Sequence, residues 1–405
     1  MLSAGSLQGR DIVRKPRSRG FAPRVVSIGV VACLISAACA SATVTDAPPT
    51  SPSSPTPGLT SHSSPTPSPT APDAEGCLVG EAWNNYAEER IARWDQPAVE
   101  KPIVAAGDDY DWVDAKSSAD TQASQIDQFV AKGAKVIIVL VLGGLEGSLP
   151  PATQSAIDRA VDAGVAVIAY DHLVDSPKAL LVAFDPVEIG RMEARAILAA
   201  RPKGNYAIIK GHPQGQLEPD LIASGIHEIL QPAIDRGDIK IVAETYTVNW
   251  DPSTAQTEME AILTENHNRI DAVIAESDGM AGGVIAALKE VGLDGKVAVA
   301  GQGGDTGSLN KVALGTQTVD VWPDLRLMGA AAGDAAVALC KNRDIAKLEG
   351  TRPLSLPGNN QVTSILLTPQ AIAKDNLNVV IDSGWANRAD LCAGVDPSKA
   401  PPACR

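Results

Sequence analysis

From Leu78 onward short apolar runs alternate with amphipathic stretches, and this alternation constrains the fold more than any other feature. The apolar runs are Leu78–Trp83, Val136–Val141, Val165–Tyr170, Leu180–Phe184, Tyr206–Lys210, Ile239–Thr245, Ala272–Ala275, Val297–Ala300, Thr318–Val321 and Ser364–Leu367. Between them, Thr121–Lys132, Pro151–Ala163, Val187–Ala200, Asp220–Asp235, Ser253–Asn266 and Met280–Val291 carry helical periodicity. Short strands alternating with longer helices form βαβ units and parallel sheets. The expected class is α/β, with two doubly wound halves.

In open parallel sheets a ligand binds beyond the carboxyl ends of the strands. Here those ends are polar or aromatic. Trp83 leads to Asn84 and Asn85, Tyr170 to Asp171 and His172, and Phe184 to Asp185. Lys210-Gly211 leads to His212, and the strand ending at Thr245 is followed by Trp250. Ala275 leads to Glu276, Ser277 and Asp278, Gly301 to Gln302, and Val321 to Trp322. Carboxylates and amides match the hydroxyls of a carbohydrate, which need paired donors and acceptors. An indole offers the plane on which the apolar face of a sugar ring packs. The chain has only 6 Trp, 5 Tyr and 3 Phe, yet Trp83, Trp94, Trp250 and Trp322 all fall near expected cleft edges.

The amino terminus is a targeting device. Arg10, Arg14, Lys15, Arg17, Arg19 and Arg24 face one acid, Asp11, and the apolar stretch Val25–Ala40 follows. This pattern reads as an export signal. Cys39 behind Ser36-Ala37-Ala38 resembles the lipobox of bacterial lipoproteins; Cys33 is the alternative acylated residue, and plain cleavage near Ala40 the other outcome. Residues 47–72 then hold nine Pro, seven Ser and five Thr. Such a segment cannot bury a core and reads as an extended spacer. The expected division is signal and lipobox 1–39, disordered tether 40–76, and a globular body from Cys77. No apolar run in the body is long enough to span a membrane.

Seven long, collinear stretches carry a family resemblance: WNNYAEERIARWDQPA, DAKSSADTQASQIDQF, GVAVIAYDHLV, FDPVEIGRMEARAILAARPKGNYAIIKG, ETYTVNWDP, NRIDAVIAESDGMAGGVIAALKEVGLDGKVAVAGQGGD and VALGTQTVDVW. The body resembles the type I periplasmic sugar-binding proteins of ABC importers, most of all their xylose-binding branch. The resemblance implies two Rossmann-like lobes, parallel sheets flanked by helices, joined by a three-crossover hinge and closing over a sugar. It implies an N-terminal lobe of 77–175 plus 306–342, a C-terminal lobe of 176–305 plus 343–382, and a tail of 383–405. It also implies a monomer that hands its ligand to an ABC permease and ATPase, touches the membrane through a lipid anchor only, and uses no cofactor or metal.

Carried over, the family's Arg-Trp pair is Arg93-Trp94. Its Tyr-Asp-Arg is Tyr170-Asp171-His172, its Phe-Asp-Asn is Phe184-Asp185-Pro186, and its Asn-Asp is Ser277-Asp278. Its Gly-Gln-Asp is Gly301-Gln302-Gly303 and its Trp/Tyr-Lys is Trp322-Pro323. An Arg, an Asp, a Lys and several amides are therefore replaced at ligand-facing positions. This predicts a divergent member with a ligand other than xylose, or with none. The alternative is a receptor or sensor on the same fold that does not transport.

Beyond the signal four cysteines remain, an even number in an exported chain, which allow three pairings. Cys77 precedes the first strand, and Cys340 ends a helix running back to the same pole. Cys77–Cys340 and Cys392–Cys404 are the expected bridges. Zinc is not expected, because no CxxC occurs and the 5 His are scattered. Asp108, Asp109, Asp111 and Asp114 lack an EF-hand pattern and read as a solvated acidic turn. Gly301–Asp305 lacks GxGxxG spacing, and no GxSxG elbow occurs, so neither a nucleotide cofactor nor a hydrolase is expected. The net charge of −14 argues against a nucleic-acid partner.

Overall fold

The computed structural model describes residues 76–142, 149–174, 176–212, 218–341, 344–356 and 361–405. Residues 1–75, where an export segment, Cys33, Cys39 and a tether are expected, lie outside them, as do residues 213–217.

In chain order the elements are β1 (Leu78–Trp83), α1 (Gln96–Ala105), β2 (Asp109–Asp114), α2 (Ala119–Ala131), β3 (Val136–Val139), α3 (Pro151–Asp162), β4 (Ala166–Tyr170) and β5 (Leu180–Phe184). Then come α4 (Pro186–Ala200), β6 (Gly204–Lys210), α5 (Glu218–Asp235), β7 (Ile239–Tyr246), α6 (Pro252–Glu265), β8 (Ala272–Ala275), α7 (Asp278–Glu290), β9 (Ala298–Gln302), α8 (Thr306–Leu314) and β10 (Val319–Trp322). The rest is α9 (Leu325–Cys340), β11 (Thr351–Ser355), β12 (Gln361–Leu367), β13 (Gln370–Ile372), α10 (Asn378–Asp382) and α11 (Arg388–Leu391).

Two sheets result. The first has the order β11-β12-β5-β4-β3-β1-β2, the second β13-β10-β9-β8-β6-β7. All neighbours are parallel except β11 on β12 and β13 on β10. Helices α1, α2, α3 and α9 pack around the first sheet, and α4 to α8 around the second. Covering both faces explains why β3 and β8 are apolar and buried at every position.

The chain passes between the sheets three times: after β5, after β10, and between β12 and β13. The first passage starts a helix at once. Asp185 accepts from the amides of Val187 and Glu188, and Pro186 stands at the first helical position. The Asp185 amide also donates to Leu367 O at 2.9 Å, which ties the first passage to the third.

Four expectations change. Thr351–Ser355 and Gln361–Leu367, within the 343–382 assigned by sequence to the C-terminal lobe, are β11 and β12 of the first sheet, because the third passage comes only after β12. Leu180–Phe184, assigned by sequence to the C-terminal lobe, is hydrogen-bonded in the first sheet. Val319–Trp322, assigned to the N-terminal lobe, pairs with β9 in the second. The chain thus switches sheets after these strands, at Asp185 and Pro323, rather than before them. The acidic turn expected from Asp108 to Asp114 is instead, from Asp109 on, β2, an edge strand whose charged and aromatic side chains conceal its β pattern. Two of these carboxylates are engaged locally: Asp108 Oδ1 accepts from the Cys77 amide at 3.1 Å, and Asp111 pairs with Lys132 at 2.7 Å. Both disulfides, Cys77–Cys340 and Cys392–Cys404, are present as expected.

Candidate functional site

A cleft of about 1500 Å³ opens between the carboxyl ends of the two sheets. On the first side, the chain after β1 forms a π-helical turn, Ile91–Asp95, closed by the Gln96 amide on Ile91 O. Such turns occur at functional sites, where the extra residue re-aims side chains. Here the turn sends Arg90 and Trp94 to the cleft together, while Asp95 is buried beneath.

Arg90 organises this wall. Its Nε and Nη2 donate to Asp95 at 2.8 and 3.2 Å, and its Nη1 donates to Asp171 Oδ2 at 2.9 Å. Tyr170 Oη donates to Asp95 Oδ1 at 2.5 Å. Burial opposes the charge on Asp171, but the adjacent guanidinium and His172 outweigh it and hold the carboxyl below its ordinary value. For Asp95 burial wins over Arg90, and the carboxyl is raised. Asp171 has φ 66°, a left-handed conformation that aspartate tolerates and that recurs at ligand clamps. His172 lines the cleft with Nδ1 3.1 Å from Val141 O.

The second wall is rich in buried acids. Glu276 is fully buried and accepts from the Gly211 amide at 2.9 Å, and burial raises its carboxyl well above the ordinary range. Ser277 caps α7 through the Met280 amide at 3.2 Å. Asp278 accepts from the Asp305 amide at 2.8 Å, and Asp320 accepts from the Gly304 amide at 3.1 Å. These consecutive amides hold the Gly303-Gly304 turn, with φ of 144° and 80°, against the two carboxyls. Burial pushes Asp278 up to about 6 and raises Asp320 well above the ordinary carboxyl range, with the nearby Asp278 carboxyl adding to the effect. Gln302 Nε2 donates to Glu276 O at 2.9 Å. On this same wall, burial and the charge on Asp171 across the cleft push Glu218 up to about 7.

Of the sequence-chosen residues, Arg93, Trp94, Asp171, His172, Trp250, Ser277, Asp278 and Gln302 line this cleft together. Arg93 pairs with Glu89 at 2.9 Å and lies 4.6 Å from the Trp94 ring centre. The other six stand behind or beside the lining. Trp83 is fully buried and packs edge-on to Tyr170 at 5.7 Å. Trp322 is buried beside Trp385 at 5.5 Å. Asn84 and Asn85 hold the turn after β1, with Asn84 Nδ2 on Glu88 at 3.2 Å and Asn85 Oδ1 on the Ala87 amide at 3.1 Å. Asp185 caps α4 and pairs with Arg352 at 2.8 Å. His212 is buried, and its Nδ1 accepts from the Asn249 amide at 2.9 Å. That bond fixes the left-handed Asn249-Trp250 turn, so His212 acts through Trp250.

Sequence reasoning missed Arg90, Glu218 and Trp385. Arg90 stands four residues before Trp94, one helical turn away, and that spacing was a readable signal. Trp385 had none, because its partners are distant in sequence. Among the described residues one group of possible metal ligands occurs, Cys77, Asp108 and Cys340, but its two sulfurs are already joined.

Residues 82–344 match the family described as "Periplasmic binding protein domain". The D-xylose-binding periplasmic protein of Escherichia coli is 32% identical over 306 residues, 75% of this chain and 89% of that protein. The chain belongs to the periplasmic sugar-binding proteins of ABC transporters. Members of this family are non-catalytic solute-binding proteins. Another relative, the multiple sugar-binding periplasmic receptor ChvE of Rhizobium radiobacter, is 28% identical over 74% of this chain and 88% of its own. Among solved structures, an ABC transporter solute-binding protein from Clostridium phytofermentans with bound β-D-glucose superposes with a TM-score of 0.64. It is 26% identical, covering 78% of this chain and 99% of that one.

Proposed function

We propose that the chain is an extracytoplasmic solute-binding lipoprotein of an ABC importer. Residues 1–39 export it, Cys39 carries the lipid, and 40–76 hold the body away from the membrane. Two lobes, hinged at the three passages between the sheets, close on a polyhydroxylated, sugar-like ligand and present it to a permease and its ATPase.

One observation carries this reading. Paired charges, buried acids and indole planes converge on a single cleft at the carboxyl ends of both sheets. Arg90–Asp171, Asp278 and Gln302 supply donors and acceptors for hydroxyls, and Trp94 and Trp250 supply planes. The wall differs from the xylose-binding pattern: His172 follows Asp171, Pro186 follows Asp185, and Pro323 follows Trp322. Arg90 supplies a guanidinium to Asp171 from another segment, so one replacement is compensated. The remaining ones favour a ligand other than xylose. A second reading, a sensor that reports a sugar without moving it, is favoured by the receptor named among the relatives.

A thermal-shift screen of the full chain against pentoses, hexoses, polyols and oligosaccharides tests the ligand class. A ligand at 100 times its Kd adds about 2.7 kcal/mol to stability. A saturable rise in melting temperature is the expected outcome, and a flat response to every compound contradicts the reading. Mass spectrometry of the amino-terminal peptide tests the anchor: acylated Cys39 supports it, while an unmodified terminus near Ala40 removes it.

A further inference from the structure

The C-terminal tail is fastened to both halves, through α8 of the second and α9 of the first. The Cys392–Cys404 disulfide closes it, and Asn310 on α8 donates to Leu391 O and Ala393 O, each at 2.9 Å. At its start Arg326 of α9 donates to Ser383 O at 2.7 Å. Between these fastenings the tail sends one indole, Trp385, into the wall of the cleft.

Trp385 touches both halves at once. Its Nε1 donates to Gly304 O at 2.7 Å, in the loop between β9 and α8. Its ring lies flat on Trp94 of the first half, with centres 4.8 Å apart and planes 15° apart. The Arg326 guanidinium sits 5.4 Å from the Trp94 ring and 5.7 Å from the Trp385 ring, covering the pair. Gly304 is held from both sides, since its amide is on Asp320 and its carbonyl on Trp385. A Cβ at Gly304 would stand 2.3 Å from the Trp322 ring, so the loop can lie this close to the indoles only without a side chain.

We propose that Trp385 is a positioning residue of the ligand cleft, holding Trp94 of one half and the Gly303–Asp305 loop of the other in register for the ligand. A half-buried indole with no backing samples several rotamers and must be ordered when ligand arrives. Stacking on Trp385 orders it beforehand, which raises affinity without a new ligand contact. Any motion that separates Trp94 from Gly304 must break either the stack or the N–H···O bond. Trp385 therefore biases the populations of open and closed forms. The affinity part of this inference rests on the proposed sugar-binding role; the coupling of the two halves does not.

The test uses the full chain, with Trp385→Phe and Trp385→Ala, in a background carrying dyes on Lys101→Cys of α1 and Lys289→Cys of α7. Three readouts are taken: the distance distribution between the halves by energy transfer, the near-ultraviolet circular dichroism of the stacked indoles, and calorimetric titration with D-xylose, D-glucose, D-ribose and myo-inositol. Trp385→Ala is expected to abolish the indole couplet, broaden the distance distribution and weaken any parental affinity about tenfold. Trp385→Phe keeps a stacked ring but loses the bond to Gly304, and is expected to fall between the parent and alanine. A folded alanine variant with the parent's distance distribution, and affinity within about twofold, overturns the proposal. Should alanine fail to fold, phenylalanine decides: no change in any readout overturns it. Failure of the parent to bind all four sugars counts against the ligand class, and the distance distribution then decides the role of Trp385.

Discussion

Arg90 Nη1 lies 2.9 Å from Asp171 Oδ2 while the opposite edge of the same guanidinium grips Asp95. One side chain thereby joins the segment after β1 to the end of β4, at the point where the cleft opens. Arg90→Ala would leave Asp95, which is wholly buried, without its cation. Breaking such a pair costs on the order of 3 kcal/mol, to be read as a lower urea midpoint. Arg90→Lys keeps the charge but loses the fork. It should restore part of the stability and little of the ligand affinity.

The Asp278–Asp320 pair gives stability a pH dependence of definite sign. Both carboxyls are raised by burial, Asp278 to about 6 and Asp320 well above its ordinary value. A raised acid contributes stability that is complete below its unfolded value and is lost as pH climbs through the folded one. The parent should therefore lose stability as pH climbs from about 4, the unfolded aspartate value, through about 6, where Asp278 ionises, and beyond it as Asp320 ionises. In Asp320→Asn the amide can donate to Asp278 at every pH while its oxygen still accepts from Gly304. Its urea midpoint should fall less over that range; an identical pH slope would refute a contribution from Asp320.

Gly211 lies directly against Trp250, and a Cβ there would stand 2.2 Å from the indole. Gly211→Ala must displace that ring from the cleft wall or shift the end of β6. The expected result is a red-shifted, more quenchable tryptophan emission and weaker ligand binding. Unchanged emission would show that the ring is not held where it lies.

The disulfides should differ in weight. Cys77–Cys340 spans 263 residues and Cys392–Cys404 spans 12. Loop-closure entropy assigns about 5 kcal/mol to the first and about 3 to the second. Paired serine replacements should lower the melting temperature in that order.

The strands were legible because buried parallel strands are continuous apolar runs: Leu78–Trp83, Leu180–Phe184 and Ala272–Ala275 start and stop where the sequence placed them. The edge strand Asp109–Asp114 was not, since one exposed edge lets charge and aromatic residues interleave. Sheet membership of Leu180–Phe184 and Val319–Trp322 was misread for another reason. Local pattern marks a strand but not its partners, and the passage between sheets lies one loop later. At the site, strand-end residues such as Asp171, Asp278 and Gln302 followed from the rule that ligands sit at carboxyl ends. Arg90 and Trp385 enter from a π-helical turn and from the tail, where no strand end points to them.

The most direct test of the central claim is calorimetric titration of the full chain with the strongest compound from the thermal screen, beside Arg90→Lys and Asp278→Asn. A ligand held between the two walls predicts saturable one-to-one binding that both substitutions weaken by about tenfold or more. Absence of binding by every polyhydroxylated compound, or an affinity that neither substitution changes, would contradict it.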